Sequence, residues 1–150
     1  MDVIRRNTDY AIRAMVHLAS HSQNGVMPVS HIAEVEEIPY QLACKLLQKL
    51  NKAKLVQSSM GPMGGFKLRK KPSNISLFDI IETIQGPLKL NRCLLGDKMC
   101  PRQDKCGIRK NLYELQVHIN SFLRKTSLKD LLKARKSAQK KVKEAQGNNQ

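Results

Sequence analysis

The 150-residue chain has no Trp and only three Tyr and three Phe. So few rings offer no series of stacking platforms, which argues against single-stranded nucleic acid as the ligand. Acids are scarce too: twelve Asp and Glu stand against 27 Lys and Arg, a formal net charge of +15. Such an excess points to a polyanionic partner. No apolar run is long enough to span a bilayer, and the charged start MDVIRRNTDYAIRAM lacks the apolar core of a secretory signal. These absences predict a cytoplasmic protein without a membrane partner, in a compartment where thiols stay reduced. No cofactor-binding loop and no catalytic triad is present, so the expectation is not an enzyme. Cysteine is sparse as well, yet three of the four crowd one stretch: Cys93, Cys100 and Cys106 in LNRCLLGDKMCPRQDKCGIRKNL. In a reducing compartment such a group reads as a metal or redox site rather than a disulfide framework.

The apolar residues recur mostly with a helical period. Asn7 or Thr8 can cap a first helix whose Ile12, Met15, Val16 and Ala19 share a face. Ser30 is a good N-cap for a short second helix, and Pro39 suits the first position of a third. Leu42, Ala43, Leu46, Leu47 and Leu50 give that third helix its buried stripe, with Lys45, Gln48, Lys49 and Lys52 outside. The segment KLVQSSMGPMGGFKLRK then offers two short strands joined by a glycine-rich link. Helix, turn, helix and hairpin together make a winged helix-turn-helix, whose second motif helix enters the major groove of duplex DNA.

That layout predicts the reading residues. Pro39, Tyr40, Gln41, Cys44, Lys45 and Lys49 lie on the third helix; Gln41 suits adenine and Lys45 guanine. The wing contributes Met60, Gly61 and Gly64 at its tip and Lys67, Arg69, Lys70 and Lys71 along its flank, placed to meet phosphate. Ser76 and Asp79 form a capping box opening a fourth helix that Gly86-Pro87 ends. Ile108, Leu112, Leu115, Ile119, Phe122 and Leu123 then mark a long amphipathic helix over about 107–125, with homodimerisation as the economical cover for its face. The expected organisation is mostly α: a winged helix-turn-helix domain at 1–75, a connecting helix and cysteine loop at 76–107, a dimerisation helix with a short following helix at 108–136, and a basic disordered tail at 137–150.

Four pieces stand in order: TDYAIRAMVHLA, IPYQLACKLLQKLNKAKLVQSSMGPMGGFKL, ISLFDIIETIQGP, and the three cysteines before the long helix. Together they resemble the bacterial IscR/NsrR/CymR regulators, the Rrf2 family of winged helix-turn-helix proteins, over roughly residues 1–132. The resemblance implies a homodimer crossed through the long helix, an operator in double-stranded DNA and, in many members, an iron–sulfur cluster. It also implies that the fourth cluster ligand varies. IscR-like relatives use a His at the position of Arg109, and NsrR-like relatives an Asp from the partner subunit at the position of Asp9, so the ligand pattern is closer to the NsrR-like branch. Several relatives carry an Arg at the wing tip where this chain has Met60.

The residues themselves support the cluster. The spacing Cys93-x6-Cys100-x5-Cys106 lacks the CxxC pairs of zinc ribbons, and the loops suit thiolates wrapped around a [4Fe–4S] or [2Fe–2S] core. Arg92, Lys98, Arg102, Lys105 and Arg109 would offset the negative charge of a ligated cluster. Zinc and metal-free redox thiols remain alternatives at this point. The functional expectation is a homodimeric DNA-binding repressor or activator sensing nitric oxide, redox or iron–sulfur status. The alternative is a cluster-free member sensing a small molecule or thiol oxidation.

Overall fold

A computed structural model describes residues 2–94, 96 and 100–147 of the chain. Its elements run α1 (Arg6–Ser20), α2 (Val29–Val35), α3 (Tyr40–Lys52), β1 (Val56–Ser59), β2 (Gly65–Leu68), α4 (Leu77–Gln85), α5 (Gly107–Lys125) and α6 (Leu128–Gly147), with short 3-10 turns at Pro72–Asn74, Arg92–Leu94 and Gln103–Lys105. The architecture is mostly helical with one two-stranded wing, as the periodicity predicts.

The core forms where α1, α3 and α4 turn their apolar stripes inward. Met15, Ile32, Leu47, Leu50, Ile75 and Ile80 are fully buried there. The stripe expected of α3 is confirmed for Ala43, Leu46, Leu47 and Leu50, while Lys45, Gln48 and Lys49 stay outside. The wing is an antiparallel hairpin in the register Val56↔Leu68 to Ser59↔Gly65. It is fastened to the body at Phe66, which exchanges both backbone hydrogen bonds with Met27, at 2.8 and 2.9 Å. A Cβ at Gly65 would run into the Met27 carbonyl, so only glycine lets the hairpin lie this close.

The second half closes onto the first at one joint. Leu77 N–H donates to the Thr126 carbonyl and Leu128 N–H to the Ile75 carbonyl, each at 2.8 Å. This pairing ends α5 beside the start of α4 and sends α6 back along α1. Ser76 and Asp79 cap each other reciprocally at the head of α4, as expected. Ser127 and Asp130 make the same exchange at the head of α6, and the Ser127 contacts lower the Asp130 pKa.

Three local expectations differ. Helix α1 opens at Arg6, so Asn7 and Thr8 lie inside it; Thr8 is buried and donates through Oγ1 to Gln85 Oε1 at 2.7 Å. Helix α2 starts at Val29 because Pro28 already holds extended backbone and serves as N-cap, without help from the Ser30 side chain. The largest correction is at the C-terminus. The short helix expected after α5 runs for 20 residues to Gly147, so 137–147 are helical and not a disordered tail; 148–150 lie outside the described residues. The disorder expectation weighed only missing apolar surface. Lys, Ala, Gln and Glu are strong helix formers, and a helix already capped and docked extends without a new nucleus.

Candidate functional site

The surface expected to meet DNA is assembled from the outer side of α3 and the wing. Pro39 is the N-cap of α3, and Tyr40, Gln41 and Lys45 follow on exposed positions of its first turns. Tyr40 also contacts the half-buried thiol of Cys44 one turn on, a hydrogen bond that raises the phenol pKa. Lys49 is turned differently: its Nζ donates to the Ile84 carbonyl at the end of α4, at 3.4 Å. Between α3 and the hairpin lies an open groove of about 530 Å³ whose lining includes Ser30, Tyr40, Gln48, Asn51, Met60 and Gly64. Asn51 Nδ2 bridges to Ser58 Oγ at 3.3 Å and locks helix to strand. At the wing tip Met60 is 95% exposed. Lys67 and Arg69 alternate with buried Phe66 and half-buried Leu68, so both basic side chains leave one face of the hairpin.

The cysteine segment is held on α5. Buried Gln116 accepts from Leu90 N–H and donates to the Leu88 carbonyl, both at 2.9 Å. It thereby fixes the chain just before Cys93. Arg109 Nε donates to the Cys93 carbonyl at 3.4 Å, and Cys106 is the N-cap residue of α5. All three cysteines are half-buried and free of disulfides. Among the described residues no three His, Cys, Asp or Glu side chains are gathered as a metal site. Lys98, expected beside the cysteines, lies outside the described residues. Asp9 projects from α1 with its side chain largely exposed, 3.4 Å from Arg13.

Helix α5 uses two faces. Ile119 and Leu123 pack with Phe78, Ile81 and Leu88, and the Arg124 guanidinium lies 3.6 Å from the Phe78 ring centroid. Flanking this packed stripe, Ile108, Leu115 and Phe122 are 70, 49 and 68% exposed. They recur every seventh residue, the spacing of a helix–helix seam.

The Rrf2 family profile, described as an iron-dependent transcriptional regulator, matches residues 4–134. The chain belongs to the Rrf2 family. It is similar to the IscR regulator of Xenorhabdus nematophila, with 33% identity over 124 residues, 83% of this chain and 75% of that one. Among solved structures it superimposes on CymR, the global cysteine regulator of B. subtilis, with a TM-score of 0.76 at 25% identity over 89% of this chain and 98% of that one. IscR of T. potens gives a TM-score of 0.71 at 28% identity over 91% and 90% of the two chains. As an Rrf2 protein the chain is a DNA-binding transcriptional regulator of winged-helix fold and not an enzyme. No helix among the described residues is long and apolar enough to cross a membrane.

Sequence reasoning missed three features. The groove lining by Ser30, Gln48 and Asn51 was concealed because these read as ordinary polar helix positions; the i+7 spacing of Gln48 from Gln41 was the available signal. The Gln116 clamp had no local signal, since its partners lie 26 and 28 residues away. The third is a buried cluster in which Glu36 Oε1 lies 3.0 Å from His17 Nδ1 and accepts from Arg135 at 2.6 Å. It joins α1, the turn before α3, and α6.

Proposed function

We propose that the chain is a cytoplasmic homodimeric regulator whose operator affinity follows the state of an iron–sulfur cluster, [4Fe–4S] or [2Fe–2S]. Cys93, Cys100 and Cys106 would hold the cluster and Asp9 of the partner subunit would complete it, in the NsrR-like manner. The observation that carries this reading is three unpaired, half-buried thiols in the one segment that Gln116 and Arg109 anchor to the start of α5. The donor set fits: thiolates are the ordinary cluster ligands, and Arg92, Arg102, Lys105 and Arg109 supply positive charge around them. Such a group would supply a centre that reacts with nitric oxide or oxidants. A carboxylate is a harder and more exchangeable donor than a thiolate. Asp9 could serve across a dimer, since among the described residues its ion pair is with Arg13 on its own helix.

The seam of Ile108, Leu115 and Phe122 supports two α5 helices packed against each other. Pro39, Tyr40, Gln41 and Lys45 would then read base edges in the major groove. Lys67 and Arg69 would neutralise phosphate, and the backbone at Met60, Gly61 and Gly64 would approach the DNA at the wing tip. Lys49, bonded to Ile84, would need to leave that carbonyl to take part.

Anaerobically purified protein is expected to contain iron and acid-labile sulfide in similar amounts, and Cys100→Ala to lose both. Asp9→Ala should keep the cluster but alter its spectrum and its reaction with nitric oxide. Stoichiometric zinc without sulfide would sink the proposal. A second reading, thiol sensing without a cluster, is favoured by one contact, that of Cys44 with Tyr40 on α3. It predicts colourless protein whose DNA affinity falls on oxidation, with Cys44→Ser insensitive.

A further inference from the structure

Helix α6 carries seven Lys and Arg against two acids. Five of these lysines are not scattered. Lys129, Lys133, Lys136, Lys140 and Lys143 follow one another at steps of four, three, four and three residues, and every one is exposed. At 3.6 residues per turn they form a single row along one side of the helix, ~21 Å from first to last. The opposite side bears Leu128, Leu131, Arg135, Ala138, Val142 and Ala145. Its first half is docked: Leu128 is buried, Leu131 packs on the core of the winged domain, and Arg135 reaches buried Glu36 at 2.6 Å. Residues 137–146 bury nothing in their own chain.

Arg135 is the point that gives this row a function. Its partner Glu36 is the C-cap of α2, four residues ahead of the start of α3. The ion pair fastens α6 to the turn of the DNA-reading motif, so the lysine row keeps a fixed place relative to α3. Beyond the clamp the helix continues for a further twelve residues, ~18 Å, with Lys136, Lys140, Lys141 and Lys143 against Glu144 alone. Lysines three and four apart on one face repel each other; Asp130 faces Lys129 and Lys133 at the head of the row, and beyond the clamp the one acid among the described residues of α6 is Glu144, 3.8 Å from Lys140 and exposed. A row of like charges on a helix whose second half covers no core is stabilised by a polyanion of matching length. Each strand of duplex DNA carries one charge per ≈3.4 Å of axis, so a row this long spans the axial length of roughly six phosphates of one strand.

We propose that α6 is a second, sequence-independent DNA contact, in which Lys136, Lys140 and Lys143 meet backbone phosphates outside the base pairs read by α3. This deepens the DNA-binding reading and rests on it. The helix would add affinity and salt dependence while leaving base preference to α3.

The test uses the full chain and a 40-bp duplex of random sequence, with affinity followed against KCl concentration. The variant Lys136→Gln/Lys140→Gln/Lys143→Gln should make the log–log slope less negative by about 0.9 for each lysine that meets a phosphate, up to roughly 2.7. A charge-matched control, Lys89→Gln/Lys110→Gln/Lys125→Gln, should keep the native slope. Amide exchange of residues 137–147 should slow when the duplex is added to native protein and not to the triple variant. The proposal is overturned if the triple variant keeps the native slope while a wing variant, Lys67→Gln/Lys70→Gln, loses slope; the row then serves solubility or an acidic protein. A native chain whose binding to duplex shows no salt dependence would overturn the wing reading together with this one.

Discussion

The winged domain and the α5 face meet different standards of completion. In the first, α1, α3 and α4 enclose Met15, Leu47, Leu50 and Ile80 with essentially no exposure, and the wing is bonded to the body at Met27 and Phe66. What it leaves exposed is polar groups, cations and scattered apolar side chains such as Tyr40, Met60 and Met63 rather than a regular apolar seam. In the second, one stripe of α5 is packed on α4, while the stripe flanking it displays Ile108, Leu115 and Phe122 to solvent beside three unpaired thiols. A monomer tolerates single exposed apolar residues, but not readily a regular seam of them. The contrast teaches that the winged domain closes its core within one chain, whereas α5 leaves an apolar seam and three thiols uncovered, which is the surface the proposed dimer would use.

The strongest way to break this comparison is to charge the seam. Leu115→Asp with Phe122→Asp is expected to convert a dimer wholly to monomer in light scattering while the helical circular dichroism signal persists. A native chain that is already monomeric at micromolar concentration would erase the distinction between the two regions. Truncation sharpens it. Leu47→Ala empties part of a fully buried site and should cost about 2–5 kcal/mol in denaturant unfolding. Leu115→Ala in a chain kept monomeric by Phe122→Asp alone should cost less than about 0.5 kcal/mol. Similar losses at both positions would mean that α5 is covered within its own chain.

A smaller effect probes the hinge between the regions. Gln116→Leu removes both partners from Leu90 N–H and the Leu88 carbonyl. Leaving these groups unpaired should cost about 1–3 kcal/mol and speed amide exchange at Leu90. Unchanged exchange there would show that the cysteine segment does not depend on α5.

What the sequence disclosed follows from the range of the forces involved. Helices α3, α4 and α5 were legible because a 3.6-residue stripe and a capping box are local, and both act within one turn. The wing was legible because Gly64 answers a local steric demand, since a Cβ there would meet the Ser59 and Gly61 carbonyls, whereas the demand at Gly65 comes from Met27, 38 residues away. The end of α6 was not, since its order comes from Ser127 and Asp130 at its head and from Leu128 and Leu131 docked on a core assembled elsewhere. The candidate site divides the same way. The exposed positions of Tyr40, Gln41 and Lys45 on α3 were readable from its stripe, whereas the Lys49 bond to Ile84 spans 35 residues and was not. The cysteine triplet announced itself by composition, but the residues that hold it, Gln116 and Arg109, did so by shape alone.

The smallest expected effect concerns the clamp that joins α6 to the winged domain. His17 and Glu36 are 3 and 4% exposed, and Arg135 is the cation nearest the Glu36 carboxylate. Burial lowers the His17 pKa below its ordinary 6.5, helped by neighbouring His21 and His31, against the hydrogen bond and charge of Glu36, which raise it. The folded chain therefore holds His17 neutral at a pH where the unfolded chain already binds a proton. The resulting stability is fully present above about pH 6.5 and is lost progressively as pH falls below that value towards the folded pKa. His17→Gln should flatten this part of the stability profile without changing it above pH 7.5. Arg135→Gln removes the guanidinium and leaves Glu36 facing His17 alone, so the imidazole takes up a proton more readily and its NMR titration midpoint moves up. A native midpoint above 6.5 would mean that Glu36 outweighs burial. In that case His17 would be a cation binding Glu36 alongside Arg135, and α6 would hold more firmly in acid rather than less.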